Sequence, residues 1–288
     1  MDLVRLWRDG GLDAVLRSPL EAVRPGSVVI GRLDVLPTLD GIEPGLFGLF
    51  LLGRRRRNAR VLNPAEALLA VHDKLLTARR LDLAGLPHPK TVGWNGEREP
   101  PLEPPFVVKP RFGSWGRDVL LCHDAEDVRR TLRTVSERPW FRRQGALVQE
   151  LVRPRGYDLR LIVAGGRVVG AGKRVAAPGE WRTNVSLGGS VVPAEPSRAA
   201  ASLAVAAASA LGADFVGVDL MPLGEDHHVV IELNGAVEFD EEYSLSARGV
   251  HMDVADALDL TSRAALAAGS RSGSGGSRSG RPARGAGS

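Results

Sequence analysis

Cysteine occurs once in the chain, at Cys122, which excludes an intramolecular disulfide and any zinc site built from several thiolates. Long apolar runs are missing too. The longest uncharged stretch, Ala199 to Ala213, has 15 residues, most of them alanine, short of the roughly 20 apolar residues that cross a bilayer. The opening Met1-Asp-Leu-Val-Arg5 has no apolar signal core. A soluble, cytoplasmic protein in a reducing compartment is expected, with no membrane partner. No internal repeat is visible.

Acidic residues are absent from Gly269 to Ser288, where the chain is almost entirely Gly, Ser, Ala and Arg. Over the whole chain 38 Lys and Arg face 34 Asp and Glu, a formal charge of +4. Four arginines of that tail (Arg271, Arg278, Arg281, Arg284) account for all of it, leaving 34 bases against 34 acids before Gly269. Such a tail buries too little apolar area to offset its ordering entropy and is expected to be disordered. The remainder, with 43% hydrophobic and 25% charged residues over the 288-residue chain, can bury a full core and suggests two domains.

Ser27 to Val35 reads as a strand, the only clear one in the first 60 residues, preceded by an amphipathic stretch around Leu3, Leu6, Leu12, Val15 and Leu16. Asn63-Pro64-Ala65-Glu66 predicts a helix start, with Asn63 as N-cap, Pro64 at the first helical position and Glu66 as a capping-box acid. A second helix is predicted from Asp73 to Leu83, stopping at Gly85. Beyond it the chain is strand-rich. Phe106 to Lys109 runs into a glycine loop, Phe112-Gly-Ser-Trp-Gly116; Asp124 to Val135 predicts a helix, and Ala146 to Val152 another strand. Asp158 to Val163 and Arg167 to Val175 alternate around Ala164-Gly-Gly166, a hairpin signature. Ser197 caps and Gly212 stops an alanine-rich helix, and Phe215 to Met221 with His228 to Leu233 form a second hairpin.

The second hairpin carries chemistry. With its turn centred between Glu225 and Asp226, Asp219 faces Glu232 across the strands, with Cβ atoms about 4.5 to 5.5 Å apart, and Asn234 shares Glu232's face. Two carboxylates so close repel unless one is protonated or a cation lies between them. Hard oxygen donors without His or Cys suit Mg²⁺ or Mn²⁺ bridging phosphates; the alternative is an acidic pair facing solvent. On either account, neutralising Asp219 is expected to leave the stability of the ligand-free protein level or raise it. Lys109 at a strand end, followed by Gly113, Ser114 and Gly116, supplies a cation and backbone donors that can wrap phosphates, the alternative being an ordinary tight turn. It is not a Walker A motif, because the lysine precedes the glycines.

Together these segments resemble the ATP-grasp carboxylate-amine ligases of the RimK type, a group that includes LysX-like and coenzyme glutamate ligases. The resemblance runs through Asn63, Asp73-Lys74, Gly85-Leu-Pro-His-Pro89, Val107-Val-Lys-Pro-Arg-Phe-Gly-Ser-Trp-Gly-Arg117, Gln149-Glu-Leu-Val152, Asp158-Leu-Arg160, Arg174, Trp181-Arg-Thr-Asn184, Gly217-Val-Asp219 and Glu232-Leu-Asn234, most of residues 60 to 240. It implies an α/β (α+β) protein with the ATP-grasp fold, two α+β lobes clasping ATP, behind a shortened pre-ATP-grasp domain. The implied boundaries are 1–72 for that domain, 73–268 for the ATP-grasp domain (lobes about 73–150 and 151–268) and 269–288 for the tail. Either the N-terminal domain is reduced or the true start lies upstream.

The resemblance also implies roles. Lys74, Lys109, Gly113, Ser114 and Gly116 would hold ATP phosphates, the strand Gln149, Glu150, Leu151, Val152 would read adenine through its backbone, and Asp158 would bind ribose. Arg182, Thr183 and Asn184 would reach the phosphates; Asp219, Glu232 and Asn234 would carry two Mg²⁺ (or Mn²⁺) ions. Arg160 and Arg174, on adjacent strands, would join Arg182 as catalytic cations near a carboxylate or acyl phosphate, structural salt bridges being their alternative. The implied activity joins an amino acid, glutamate foremost, to an amine on a small molecule or protein through an acyl phosphate, releasing ADP and phosphate. No nucleophilic side chain is needed, so Cys122 is read as core packing and His227 and His228 as solvated turn residues. Two departures bear on acceptor recognition: Leu187 stands before Gly188-Gly189 where the family usually has arginine, and Gly235-Ala-Val-Glu-Phe239 replaces the usual x-x-Pro-Gly after Asn234. A kinase on the same fold would want a strongly basic acceptor site. A nucleic-acid-binding protein using Arg54-Arg-Arg-Arg57 and the tail is disfavoured by the neutral remainder. A homo-oligomer is left open.

Overall fold

A computed structural model describes residues 3–17, 23–24, 26–32, 42–54, 59–100, 102–224 and 226–261. The predicted disordered tail, arginines 55–57, Glu225 and residues 33–35 of the first predicted strand lie outside them. The elements run α1 (Leu3–Asp9), β1 (Ser27–Ile30), α2 (Ile42–Arg54), β2 (Ala59–Leu62), α3 (Ala65–His72), α4 (Lys74–Leu83), β3 (Thr91–Trp94), β4 (Phe106–Pro110), β5 (Leu120–Cys122), α5 (Ala125–Ser136), α6 (Pro139–Gln144), β6 (Ala146–Glu150), β7 (Tyr157–Ala164), β8 (Arg167–Val175), β9 (Ser190–Pro193), α7 (Arg198–Leu211), β10 (Phe215–Pro222), β11 (His228–Asn234) and α8 (Val250–Ala257). Single 3₁₀ turns stand at Val185–Leu187 and Glu241–Tyr243.

Three sheets result. β1 and β2 pair in parallel; β3-β6-β4-β5 form an antiparallel sheet of four, and β11-β10-β7-β8-β9 an antiparallel sheet of five. Alternation along each strand decides what each face does. In β7 and β10, Leu161, Val163, Val216 and Val218 point into one apolar cluster with α7, while Ile162, Ala164 and Phe215 point into another with α8. Arg160 and Asp219 continue the Ile162/Phe215 face beyond that cluster. In the smaller sheet Phe106 and Val108 join Trp94, Trp140 and Phe141 in a third core, which leaves Val107 and Lys109 on the other face.

Local signals explain most elements. The Ser197 hydroxyl accepts from Ala200 N–H at 3.2 Å and Gly212, at φ +69°, ends α7, whose buried Ala200, Ala204, Ala207, Ala208 and Leu211 recur at helical spacing. Small side chains on that face let the helix lie close to the sheet. The β7–β8 turn uses Gly165 and Gly166 at φ +53° and +76°. A Cβ on Gly165 would fall 2.0 Å from the Ala257 carbonyl oxygen, so that position has no room for one. Cys122 is fully buried, its thiol 3.3 Å from Thr131 Oγ1, in keeping with its reading as core packing.

Three expectations are corrected. The amphipathic stretch is shorter than expected: α1 holds Leu3 and Leu6 and ends at Asp9, Leu12 packs against a core cluster, and Val15 and Leu16 are exposed. β2, which the sequence does not announce, pairs with β1, so the described residues among the first 62 hold two strands. Asn63 does not cap α3, which begins at Ala65 with no side-chain cap bond. Its φ of +52° turns the buried side chain toward the sheets instead. Asn63 Oδ1 accepts from the N–H groups of Asp214 and Phe215, both at 2.9 Å, and Nδ2 donates to the carbonyls of Phe215 at 2.6 Å and Gly31 at 3.3 Å. One amide thus ties the small parallel sheet to the start of β10. Asn63→Ala would strand two N–H donors, that of Phe215 buried and that of Asp214 partly so, and is expected to cost about 2–4 kcal/mol in urea unfolding. A loss below about 0.5 kcal/mol would contradict this role.

Candidate active site

The four-stranded and five-stranded sheets face each other across a cleft. Lys74, Lys109, Gly113, Ser114, Gly116, Gln149, Glu150, Leu151, Val152, Asp158, Arg174, Arg182, Thr183, Asn184, Asp219 and Glu232, sixteen of the residues singled out from sequence, line it. Arg160 and Asn234 do not. Arg160 lies behind Asp219, and the Asn234 side-chain oxygen accepts from Ala236 N–H at 3.0 Å.

Cross-strand register places the charges. One row across the large sheet reads Gly172, Arg160, Asp219, Glu232; the next pairs Arg174 with Asp158. Asp219 opposes Glu232 as the sequence predicts, but the pairing slips by one between Asp219 and Leu220, which opposes Val230, so a bulge at Ile231 separates the acid pair from the turn. Arg160 grips Asp219 with both Nε (2.8 Å) and Nη2 (2.9 Å). Arg174 Nη2 reaches Asp219 Oδ2 at 2.8 Å and forks onto Asp158 at 2.7 and 2.5 Å, and Thr183 Oγ1 donates to Asp158 at 2.6 Å. Gly172 has no side chain because the ring of buried Tyr243 would be 2.8 Å from a Cβ there.

Burial alone would push the Asp219 carboxyl up; Arg160 and Arg174 outweigh it and hold it at about 2. Cation contacts, not metal alone, therefore answer the repulsion between Asp219 and Glu232. Glu232 has its own partner, Lys74 Nζ at 3.0 Å, which also donates to the Gly113 carbonyl at 2.6 Å. Lys74 is aimed by Asp73, which caps α4 through the N–H groups of Leu75 and Leu76 and takes the fork of Arg111. Lys109 Nζ donates to Gln149 Oε1 at 2.8 Å, and Gln149 in turn donates to Thr91 Oγ1. Burial pushes the Lys109 ammonium down to about 8, with Glu232 resisting and Lys74 reinforcing the fall.

Oxygen donors suit a divalent ion here. Among the described residues no group of three or more His, Cys, Asp or Glu side chains converges on a metal position. Asp219 and Glu232, with the Asn234 amide one step along the face, still match Mg²⁺ or Mn²⁺, which take few protein ligands and complete their shell with phosphate and water. The Lys74 ammonium already resting on Glu232 marks that carboxylate as a cation seat.

The sequence did not single out the apolar walls: Val107, Val119, Met221 and Ile231 also line the cleft. Two of them were legible from alternation, since Val107 shares Lys109's face and Met221 shares Asp219's. Ile231 was not, because the bulge that turns it inward leaves no mark in the pattern. Of the turn histidines, His227 is exposed as expected, but His228 opens β11 half-buried, and burial pushes its pKa down.

Because Asp219 is the counter-charge of buried Arg174 and partly buried Arg160, the sequence-based expectation for its neutralisation is overturned. Asp219→Asn should lower the stability of the ligand-free protein by about 2–4 kcal/mol, by leaving Arg160 without its fork. A carboxyl whose pKa is depressed on folding stabilises above its unfolded value near 3.9 and loses that contribution as pH falls through about 2. Wild-type stability should therefore gain about 2 kcal/mol between pH about 2 and 4 that the variant lacks. Equal or higher melting temperatures for the variant would contradict the network.

With this geometry in hand, comparison with known proteins gives a consistent result. The RimK-like ATP-grasp domain matches residues 97–258. A probable alpha-L-glutamate ligase of Xanthomonas oryzae pv. oryzae is 37% identical over 219 residues, 73% of this chain and 66% of that protein. Beta-citrylglutamate synthase B of Homo sapiens is 31% identical over 218 residues, 70% of this chain and 54% of that protein; the chain spans about half the length of such relatives. The crystal structure of a RimK domain ATP-grasp protein from Sphaerobacter thermophilus superposes with a TM-score of 0.63 at 22% identity, covering 90% of this chain and 93% of that one, a likeness of fold. No helix among the described residues is long and apolar enough to cross a membrane. With more than half its length inside the domain match, the chain belongs to the RimK-like ATP-grasp family.

Proposed function

We propose that the protein is an ATP-dependent carboxylate-amine ligase, with 1–72 as a shortened pre-ATP-grasp domain, 73–268 as the ATP-grasp domain and 269–288 as a tail. The observation that carries this is the cleft itself, lined by Lys74, Lys109, Arg174 and Arg182 together with the acid pair Asp219 and Glu232 and the glycine loop. Adenine would lie between the apolar walls against the backbone of Glu150, Leu151 and Val152, with ribose at Asp158. Lys74, Lys109, Arg182, Thr183 and Asn184 would bind and orient the phosphates. Asp219, Glu232 and Asn234 would hold Mg²⁺ or Mn²⁺, one or two ions, whose contribution is to neutralise β- and γ-phosphate oxygens.

In the proposed reaction an oxygen of the substrate carboxylate bonds to the γ-phosphorus as the bond to the β–γ bridging oxygen breaks, and ADP leaves. An amine then attacks the acyl carbon, phosphate departs with the acyl oxygen, and the nitrogen gives up a proton. Charge grows on the phosphoryl oxygens in the first step, and pre-placed cations stabilise it without reorganising. Arg174 stands at the edge of that region, fixed by its two carboxylates. An amino acid joined to an amine on a small molecule or protein is the proposed product, glutamate being the first amino acid to try, since relatives are named for glutamate chemistry.

Incubation with Mg·ATP and pools of amino acids and amines should give ADP, phosphate and a new amide mass. AMP with pyrophosphate, or a phosphorylated product with no amide, would overturn the reading. A second expectation concerns pH. The Lys109 ammonium meets phosphate only while protonated, so nucleotide affinity should be full below pH about 8 and fall above it. Bound phosphate favours the charged form, so binding at pH about 8 to 9 should take up a proton. Calorimetry in buffers of different ionisation enthalpy measures that uptake, and Lys109→Met should abolish it.

A further inference from the structure

Beside the cleft the chain turns at Ala177-Pro178-Gly179-Glu180. Glu180 N–H donates to the Ala177 carbonyl at 3.0 Å and Gly179 takes φ +81°, a turn with proline second and glycine third. The turn delivers Glu180 to the base of the segment carrying Arg182, Thr183 and Asn184. Its carboxylate is engaged on both oxygens. Oε1 accepts from the N–H groups of Trp181 (2.9 Å) and Arg182 (3.0 Å) and from Arg182 Nε (3.0 Å); Oε2 accepts from Arg182 Nη2 at 2.8 Å. The third nitrogen of the same guanidinium, Nη1, donates to the Gly116 carbonyl at 2.9 Å, on the glycine loop of the opposite sheet.

A guanidinium carries five N–H groups. Three are committed to Glu180 and Gly116, which leaves one on each terminal nitrogen, and Arg182 lines the cleft. An exposed ion pair between flexible side chains would contribute little. This one differs because two backbone N–H groups pin the carboxylate and the pair is largely shielded, with side-chain exposures of 24% for Arg182 and 21% for Glu180. Asp158, the other acid beside this segment, is already engaged by Arg174 and Thr183.

We propose that Glu180 is a positioning residue for nucleotide binding: it fixes the fork of Arg182 so that the two remaining N–H groups meet the nucleotide phosphates, and through Arg182 it fastens the glycine loop over them. This rests on the ligase reading, in which Arg182 touches phosphate. Hydrogen bonds from Arg182, first its side chain and then its backbone, hold the Glu180 carboxyl down at about 2, so the brace is ionised at any working pH.

The alternative is competition, with Glu180 occupying a guanidinium that phosphate must win back, and it has the opposite sign. The test is titration of the full chain with Mg²⁺ and a non-hydrolysable ATP analogue, alongside thermal melts of the ligand-free protein. Glu180→Gln keeps the shape and the oxygen that accepts the backbone N–H groups but loses the charge. It should weaken binding about tenfold, as should Glu180→Ala, with ligand-free melting temperature within about 2 °C of wild type. Glu180→Gln combined with Arg182→Ala should bind no more weakly than Arg182→Ala alone, because Glu180 acts only through Arg182. Binding by Glu180→Gln within twofold of wild type, or tighter, would overturn the proposal, as would multiplying losses in the double variant or failure of both single variants to fold. If wild type itself binds no nucleotide, the ligase reading falls and takes this inference with it; wild-type binding with an unaffected Glu180→Gln removes this inference alone.

Discussion

Four charged side chains at one end of the large sheet, the buried Arg174, Asp158 and Asp219 and the partly buried Arg160, set the terms for everything around them. Neither acid nor base would survive there alone, since an unpaired buried charge costs several kcal/mol. Interlocked, they make a rigid polar floor whose partners cannot exchange freely. The register of three strands is fixed by the same contacts that fix the chemistry. Gly172 and Tyr243 complete the floor, the one by lacking a side chain where the other lies.

Cations of two kinds surround the acids. Arg160 and Arg174 are committed to carboxylates on several atoms and cannot leave without stranding a charge. Lys74 holds Glu232 and the Gly113 carbonyl by one contact each, and Lys109 holds the neutral Gln149 amide by one. On the proposed function, that contrast between a fixed frame and exchangeable ammonium groups would suit a nucleotide: a preorganised floor, and cations free to turn to phosphate. Glu180 and Gly116 place Arg182 in the first class on three atoms while leaving two donors open.

Much of this was legible in the sequence because the information was local or periodic. Asp219 opposite Glu232 followed from counting back from a hairpin turn, and the count held at that pair even though a bulge at Ile231 shifts the strands nearer the turn. Capping at Ser197, the stop at Gly212 and the Gly165-Gly166 turn each rest on a few adjacent residues. Failures came where distant chain decided. Asn63 looked like a cap because Pro64 and Glu66 follow it, yet its amide serves backbone N–H groups 151 and 152 residues away, at the start of β10. Asp219 looked like one half of a repelling pair because nothing in spacing says that Arg160 sits directly across on the other neighbouring strand. Glu180 went unnoticed because two residues' separation from Arg182 means little until a proline-glycine turn folds the one onto the other.

The claim on which all this converges is that the cleft passes the γ-phosphoryl group of ATP to a carboxylate. Once an acceptor pair is in hand, that carboxylate can be supplied with both oxygens as ¹⁸O and the released inorganic phosphate examined by phosphorus NMR or mass spectrometry. An acyl phosphate requires one labelled oxygen to leave with phosphate when the amine displaces it, so phosphate carrying a single ¹⁸O is the expected result. Unlabelled phosphate accompanying amide formation, or label recovered in AMP, would contradict the account.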